Sequence, residues 1–429
     1  MRYQIDTQEL RAALAALLSL TKKMPPDTES GGASISLMRD RQGDYRLMAT
    51  QTWYHASVSL PGLECLTASR NDELEPWDDN PKASAWGFAD PQAILSVVSK
   101  LPKKSSVTLT RKRDASKITM ECGSSRVYEF MLGDPSGSTQ GYGMHDDGTV
   151  VCEFDASGLE AFCVQASAMS SIITKSATRP EFESLCLSAE EVEGKDGRFL
   201  RISANARDDG LSLVDTREDS CPEDFTALVP RETAGGLQGF IKQMPATTSG
   251  KLVSFPVAPG QRKAKGISVR GDGYELYLTC RTDEFPFASI DQILDTVSSP
   301  SVRVREPSKP LRDALGRTQA LAKPGLAAVS FYVTDAGALT LEQHDGLLPK
   351  TIVARETLDA VEPERFPDDE ATVYTNVNAN TMSKAIMKFV DSKDVAVCIV
   401  GTSGQGILSV HGGETVYDGL CIVTAALRI

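Results

Sequence analysis

Leu228-Val229-Pro230-Arg231-Glu232-Thr233-Ala234-Gly235-Gly236-Leu237-Gln238-Gly239-Phe240-Ile241-Lys242-Gln243-Met244-Pro245 reads as a short apolar strand running straight into a helix. Leu237, Phe240, Ile241 and Met244 recur at the spacing of one helical face, so that face is apolar. Lys242 points roughly the opposite way, and Pro245 ends the helix because it cannot continue the hydrogen-bond ladder. Three alternating runs follow at residues 251–257, 266–270 and 274–281, the pattern of half-buried strands. The order is strand, helix, strand, strand, strand. A helix with one apolar stripe must bury it, so it lies on the sheet those strands make.

The same order recurs along the chain. Helices with matching stripes are expected at residues 7–23 (Leu10, Leu14, Leu17) and 90–101 (Ile94, Val97, Val98, Leu101). Others are expected at 155–173 (Leu159, Phe162, Cys163, Ala166), 308–322 (Leu311, Ala314, Leu315, Thr318) and 378–390 (Met382, Ala385, Ile386, Phe389). With 231–244 this makes six helices, each followed by two or three strand-like runs and spaced roughly 65 to 85 residues apart, a period that points to an array of one supersecondary unit.

At 429 residues, 41% hydrophobic and 24% charged, the composition is that of a soluble globular protein with room for several cores. No apolar run reaches membrane-spanning length and residues 1–6 lack a signal-peptide core, which predicts a cytoplasmic protein without a membrane partner. The nine cysteines contain no CxxC pair and read as reduced, buried thiols.

A net charge of −13 argues, by itself, against a nucleic-acid partner. Its placement reverses the inference. Acidic clusters at 72–79, 190–196, 208–224 and 356–370 fall in expected loops. The helices carry basic residues away from their apolar stripes: Lys22, Lys23, Lys100, Lys103, Lys104, Lys175, Lys242, Arg312, Arg317, Lys323, Lys384 and Lys388. A basic helix side is ordinarily a solvated face. Six with the same bias, if they share one surface, make a positive face suited to a polyanion held without sequence readout.

Gly133–Gly148 is rich in Gly, Ser and Asp and reads as a boundary, and Ser298-Ser299-Pro300 marks another. The expected domains are therefore 1–143, 149–297 and 300–429, each a pair of units. Inner connections are expected at 67–82, 216–224 and 356–369.

Read together, these features resemble the bacterial DNA polymerase III beta subunit, the sliding clamp. The opening residues 1–18 resemble the clamp N-terminus, and Arg179-Pro180-Glu181-Phe182-Glu183-Ser184-Leu185 is similar to its Arg-x-x-Leu-x-Gly-aliphatic start of the middle domain. Val229-Pro230-Arg231, Glu284-Phe285-Pro286, Asn376-Val377-Asn378 and Leu427-Arg428-Ile429 resemble its Val-Pro-Arg, its Arg-Phe-Pro, the start of its last helix and its Met-Arg-Leu end. The chain departs from the family at three places. Ala204-Asn205-Ala206-Arg207-Asp208-Asp209-Gly210-Leu211 stands for Ala-Thr-Asp-Gly-His-Arg-Leu, Phe287-Ala288 for Asp-Tyr, and Val423-Thr424-Ala425-Ala426 for a tail rich in Met and Pro. These departures suit a divergent member, phage-encoded or a specialised paralogue.

The resemblance implies an α+β DNA clamp fold of three domains, each two β-α-β-β-β pseudo-repeats, with helices lining a ring channel and sheets outside. It implies double-stranded DNA as a sequence-independent partner, with Arg179 joining the basic residues above. It implies a homodimeric ring, joined through Val127, Tyr128 and Phe130 of one chain and the region of Ala320 and Leu321 of the other. Polymerase and clamp-loader peptides would enter a hydrophobic pocket formed by Phe182, Asn205, Leu211, Pro286, Ile290, Val423, Ala425, Leu427 and Arg428. Phe182 replaces a Leu, which narrows one wall.

The residues suggest no catalysis, cofactor or metal. His55, His145, His344 and His411 are dispersed and none shares helical ligand spacing with a carboxylate. Gly401-Thr402-Ser403-Gly404-Gln405-Gly406 lacks the Lys of a phosphate loop and reads as a hairpin turn. Asp208-Asp209 reads as a solvated loop and Cys163 as a core residue. Three functions stay open at this stage: a DNA-encircling processivity factor, a clamp-fold interaction scaffold or decoy that no longer tracks DNA, and, more remotely, an enzyme.

Overall fold

The computed structural model describes residues 1–21, 35–66, 74–75, 85–112, 115–123, 126–139, 148–173, 183–192, 195–206, 211–244, 249–282, 287–321, 328–334, 337–344, 351–358, 364–365, 374–386, 394–400 and 406–425. Eight helices lie among them: α1 (Thr7–Thr21), α2 (Pro91–Val98), α3 (Ala156–Ser170), α4 (Arg231–Ala234), α5 (Leu237–Ile241), α6 (Phe287–Ser298), α7 (Ser308–Leu321) and α8 (Ala379–Ile386). The starts are written in the sequence. Asp6 accepts from the Gln8 and Glu9 N–H groups at 2.7 and 3.2 Å, Asp90 from Ala93 at 2.9 Å, and Asp155 from Gly158 at 2.7 Å.

One exchange of strands occurs three times. Arg2–Asp6, which leads into α1, pairs with Ser106–Thr110 from beyond α2; Ala85–Phe88, which leads into α2, pairs with Ile35–Arg39 from beyond α1. Thr149–Phe154, before α3, pairs with Gly250–Pro256, and Thr226–Pro230, before α4, pairs with Ser184–Glu191. Val302–Pro307, before α7, pairs with Asp394–Val400, and Tyr374–Asn378, before α8, pairs with Ala328–Val333. Each unit thus completes its neighbour's sheet, and neither half of a pair closes its core alone.

The last strand of a unit is where one pair joins the next. Tyr54–Ser59 pairs with Tyr274–Thr279, and Leu211–Ser220 with Gly419–Ala425. These joints, together with the pairing of Phe88 with Leu132 and Gly87 with Gly133, merge the strands into a thirteen-stranded and a nine-stranded sheet, in addition to a four-stranded one, among the described residues.

By contacts the chain forms two compact units, residues 1–167 with 232–281, and 168–231 with 282–429. The first holds the thirteen-stranded sheet. There α1 packs between α2 and α5 and buries Leu10, Leu14 and Leu17. The α1–α5 crossing is close because of glycine: a Cβ on Gly239 would lie 3.0 Å from the Ser19 Cβ. Tyr3 is wedged edge-on against Tyr45 and Trp86, at 5.3 and 5.1 Å between ring centres.

The second unit holds the other two sheets. Leu294 and Val297 of α6 pack with Cys186, Val214, Leu228, Cys421 and Val423 of the nine-stranded sheet. On the four-stranded sheet sit α7 and, against it, α8.

Four readings of the sequence need correction. The helix expected over 231–244 is broken in two at Gly235-Gly236, where the helix has no side chain to hold its turn. Residues 216–220, expected in a connection, end the ten-residue strand Leu211–Ser220, in which Asp215 and Thr216 are buried and Glu218 is exposed. Ile352–Leu358, partly assigned to a linker, is an edge strand. Helix α6 was not anticipated, although Ile290, Leu294 and Val297 stand at helical spacing. The turn expected at 401–406 falls mostly outside the described residues, but the strands flanking it pair as a hairpin, Val400 opposite Ile407.

Candidate nucleic-acid interface and partner site

Of the expected phosphate contacts, Lys22, Lys23, Lys175, Arg179, Lys323 and Lys388 lie outside the described residues. The others sit at helix ends or on helix surfaces. In the first unit, Lys100, Lys103 and Lys104 follow the end of α2, and Lys242 caps α5; all four are exposed. In the second, Lys384 is exposed on α8 and Arg312 half-buried on α7. No carboxylate among the described residues pairs with any of these six. A lysine following a helix also interacts favourably with the negative C-terminal end of the helix dipole, which orders it without using up its charge.

Arg317 is different. Its guanidinium grips Glu356 of the edge strand through two 2.7 Å hydrogen bonds, and this pairing holds the Glu356 carboxyl below the usual range. A bidentate pair of this kind leaves little charge for a phosphate.

Four of the nine pocket positions, Phe182, Pro286, Leu427 and Arg428, lie outside the described residues, and Ile290 and Ala425 are placed only by their backbone in α6 and Gly419–Ala425. The structure brings Asn205, Leu211 and Val423 onto adjacent strands. Asn205 pairs with Ser212, whose hydroxyl donates to its Oδ1 at 2.7 Å, and Ser212 pairs in turn with Val423. Leu211 pairs with Thr424, and directly opposed side chains share a face, so Leu211 and Val423 lie on opposite faces of the sheet. Val423, 3% exposed, belongs to the core under α6.

At the expected joint, residues 126–130 pair with Lys117–Cys122 on one side and with no strand among the described residues on the other. Val127 is 61% and Met131 52% exposed, while Tyr128 and Phe130 are half-buried on the opposite face, opposed to Met120 and Ile118. In the second unit Ile352–Leu358 is the edge of its sheet, with Ile352 40% and Val353 44% exposed. Ala320 and Leu321 are exposed at the end of α7, which packs on that strand. Ile352 and Val353 escaped the sequence reading; this apolar pair before a charged run was the signal.

Among the described residues no three metal-ligating side chains come together. His411 is buried, with Nε2 3.6 Å from the Cys398 sulfur and Nδ1 3.1 Å from the Gly413 carbonyl oxygen; burial lowers it to about 4, so it is neutral. No described helix is long and apolar enough to cross a membrane.

No family model and no curated protein matches the sequence. Solved structures do match. The DNA polymerase III subunit beta of Pseudomonas aeruginosa is similar over 100% of both chains, with a TM-score of 0.74 at 14% identity. The sliding clamp of Bacillus subtilis is similar over 100% of this chain and 99% of its own, with a TM-score of 0.74 at 11% identity. The beta subunit from Thermotoga maritima gives 0.73 at 12% identity over the same shares. From its first strand to its last, the chain has the α+β fold of the DNA polymerase III beta sliding clamps.

Proposed function

We propose that this chain is the subunit of a DNA sliding clamp, a non-catalytic processivity factor whose two copies close around duplex DNA in the cytoplasm. Its domains are 1–143, 149–297 and 300–429. The observation that carries the reading is a clamp fold over the whole chain whose helix ends bear cations that no described carboxylate neutralises.

The sheet joints support ring closure. Of six last strands, four are already paired with one another; Ile352–Leu358 is an edge, and Arg126–Gly133 is paired on its second side only at Leu132 and Gly133. Pairing the one with the other of a second copy repeats the joint used twice within the chain, and covers two apolar edges that would otherwise invite aggregation. Polymerase and loader peptides dock in a hydrophobic pocket that includes Leu211; Val423, on the opposite face of its sheet and buried under α6, is not part of it.

The test is retention on nicked circular DNA. The protein should stay bound until the circle is linearised, and each phosphate neutralised should add about −0.9 to the slope of log affinity against log salt. Changing Lys100, Lys103, Lys242 and Lys384 together to Glu should abolish retention with the fold intact. Unchanged retention overturns the assignment of these residues. A clamp-fold scaffold that does not track DNA is favoured by the Arg317–Glu356 pair, and predicts no retention by the unaltered protein.

A further inference from the structure

Within the first unit an open groove of about 1030 Å³ runs between the start of α1, the strand connections at residues 43–46 and 58–63, the end of α5 and the turn at Asp272-Gly273. This is at the upper end of the roughly 300–1,000 Å³ of ligand pockets. Val58, Leu60, Leu63 and Met244 give it an apolar floor. Asp6, Glu9, Asp44 and Asp272 stand on its walls. The one cation there, Arg46, is bound to Asp40 at 2.8 Å, which cancels its charge. Asp44 and Asp272 are exposed on hairpin turns, and no cation among the described residues pairs with either. Glu9 is held by the Gly62 N–H at 3.1 Å and is partly desolvated there.

We infer that this groove docks a short peptide segment of a partner protein in which Lys or Arg flank an apolar anchor. Charge complementarity selects the occupant. The acidic walls repel nucleic acid, although Lys242 at the end of α5 stands next to the lining residues Gln243 and Met244. The carboxylates come from three places around the groove, the start of α1, the connection at Asp44 and the turn at Asp272, and among the described residues no three ligating side chains gather as a metal site. An extended cation with an apolar centre meets both walls and floor, which a compact ion does not.

The experiment uses the full chain and a fluorescein-labelled peptide, Lys-Leu-Arg-Leu-Lys, followed by anisotropy. Saturable binding is expected. Asp44→Lys with Asp272→Lys should weaken it about tenfold or more, and the milder Asp44→Asn with Asp272→Asn should give a smaller loss. Glu218→Lys with Glu223→Lys, an equal charge change on exposed residues of the second unit, should leave it unchanged. Replacing both Leu of the peptide by Ser should also weaken binding about tenfold. The inference is overturned by any of three results: no saturable binding, equal losses in the Asp44/Asp272 and Glu218/Glu223 variants, or undiminished binding of the Ser peptide, which would indicate a bare cation as the ligand. None of these outcomes bears on retention on DNA circles.

Discussion

Replacing Asp215 with asparagine should stabilise the protein at neutral pH and leave its stability nearly unchanged in acid. Asp215 lies in the middle of Leu211–Ser220, between Ile202 and Leu420 on the neighbouring strands. Burial pushes its carboxyl up to about 6; Arg217 opposes this and Asp219 adds to it. Arg217 cannot compensate fully because its guanidinium is also paired with Asp219.

Moving a carboxyl from 3.8 to about 6 corresponds, at 1.36 kcal/mol for each pH unit, to a cost of about 3 kcal/mol when the group is ionised. The sign follows from the protons bound. Below about 3.8 the folded and unfolded forms are both protonated and the cost is absent. As pH rises, the unfolded form loses its proton first, so stability falls, and the full cost is present above about 6. Asparagine does not titrate and keeps the shape. His411 acts in the opposite direction: lowered by burial to about 4, it contributes stability above 6.5 that is lost as pH falls toward 4. The parent's own pH profile therefore mixes both, and the informative quantity is the difference between variant and parent at each pH. Urea unfolding followed by fluorescence should show the variant ahead by up to about 3 kcal/mol near pH 7.5 and level near pH 4. An advantage that is the same at both pH values, or a less stable variant at pH 7.5, refutes the reasoning.

Leu294→Ala should cost about 2–5 kcal/mol, because the side chain is fully buried between α6 and the nine-stranded sheet; differential scanning calorimetry reads it as a lowered Tm. Gly239→Val should cost about 1–3 kcal/mol by forcing α5 away from Ser19, and Ser19→Ala should not restore it, since the Cβ rather than the hydroxyl is the nearest obstacle. Val127→Glu with Met131→Glu should leave the fold intact and give a monomer by light scattering, because the exposed apolar face of the free edge becomes acidic.

The helices were legible because burial on one side leaves a stripe, and their starts because Asp6, Asp90 and Asp155 stand where a cap is needed. Charged strands were not. Asp215, Arg217 and Asp219 look like a solvated connection until the strand Gly419–Ala425, two hundred residues away in sequence, pairs beside them. Ile352–Leu358 was hidden for the related reason that an edge strand keeps one polar side. The basic bias of the helices could be read from sequence, but the loss of Arg317 to Glu356 could not, because the two are 39 residues apart and meet only when α7 lies on its sheet. The acidic groove was equally invisible, with its carboxylates drawn from three separate places in the first unit.

The segregation of charge explains how a protein of net charge −13 can suit a polyanion. Six cations without a carboxylate partner among the described residues, Lys100, Lys103, Lys104, Lys242, Arg312 and Lys384, sit at helix ends and on helix surfaces, where the dipole favours those at the C-terminal ends. Much of the acid sits on strands and turns, as at Asp44, Asp272, Glu218 and Glu223. On a surface with mixed signs, exposed charges separated by more than about 10 Å are screened at ordinary salt, so the local sign rather than the total governs a contact. In the proposed ring the acidic exterior would repel DNA everywhere except along the helices, which favours encirclement over adhesion to the outside. The same exterior would admit cationic partners, and in the groove beside α1 acid walls and an apolar floor coincide.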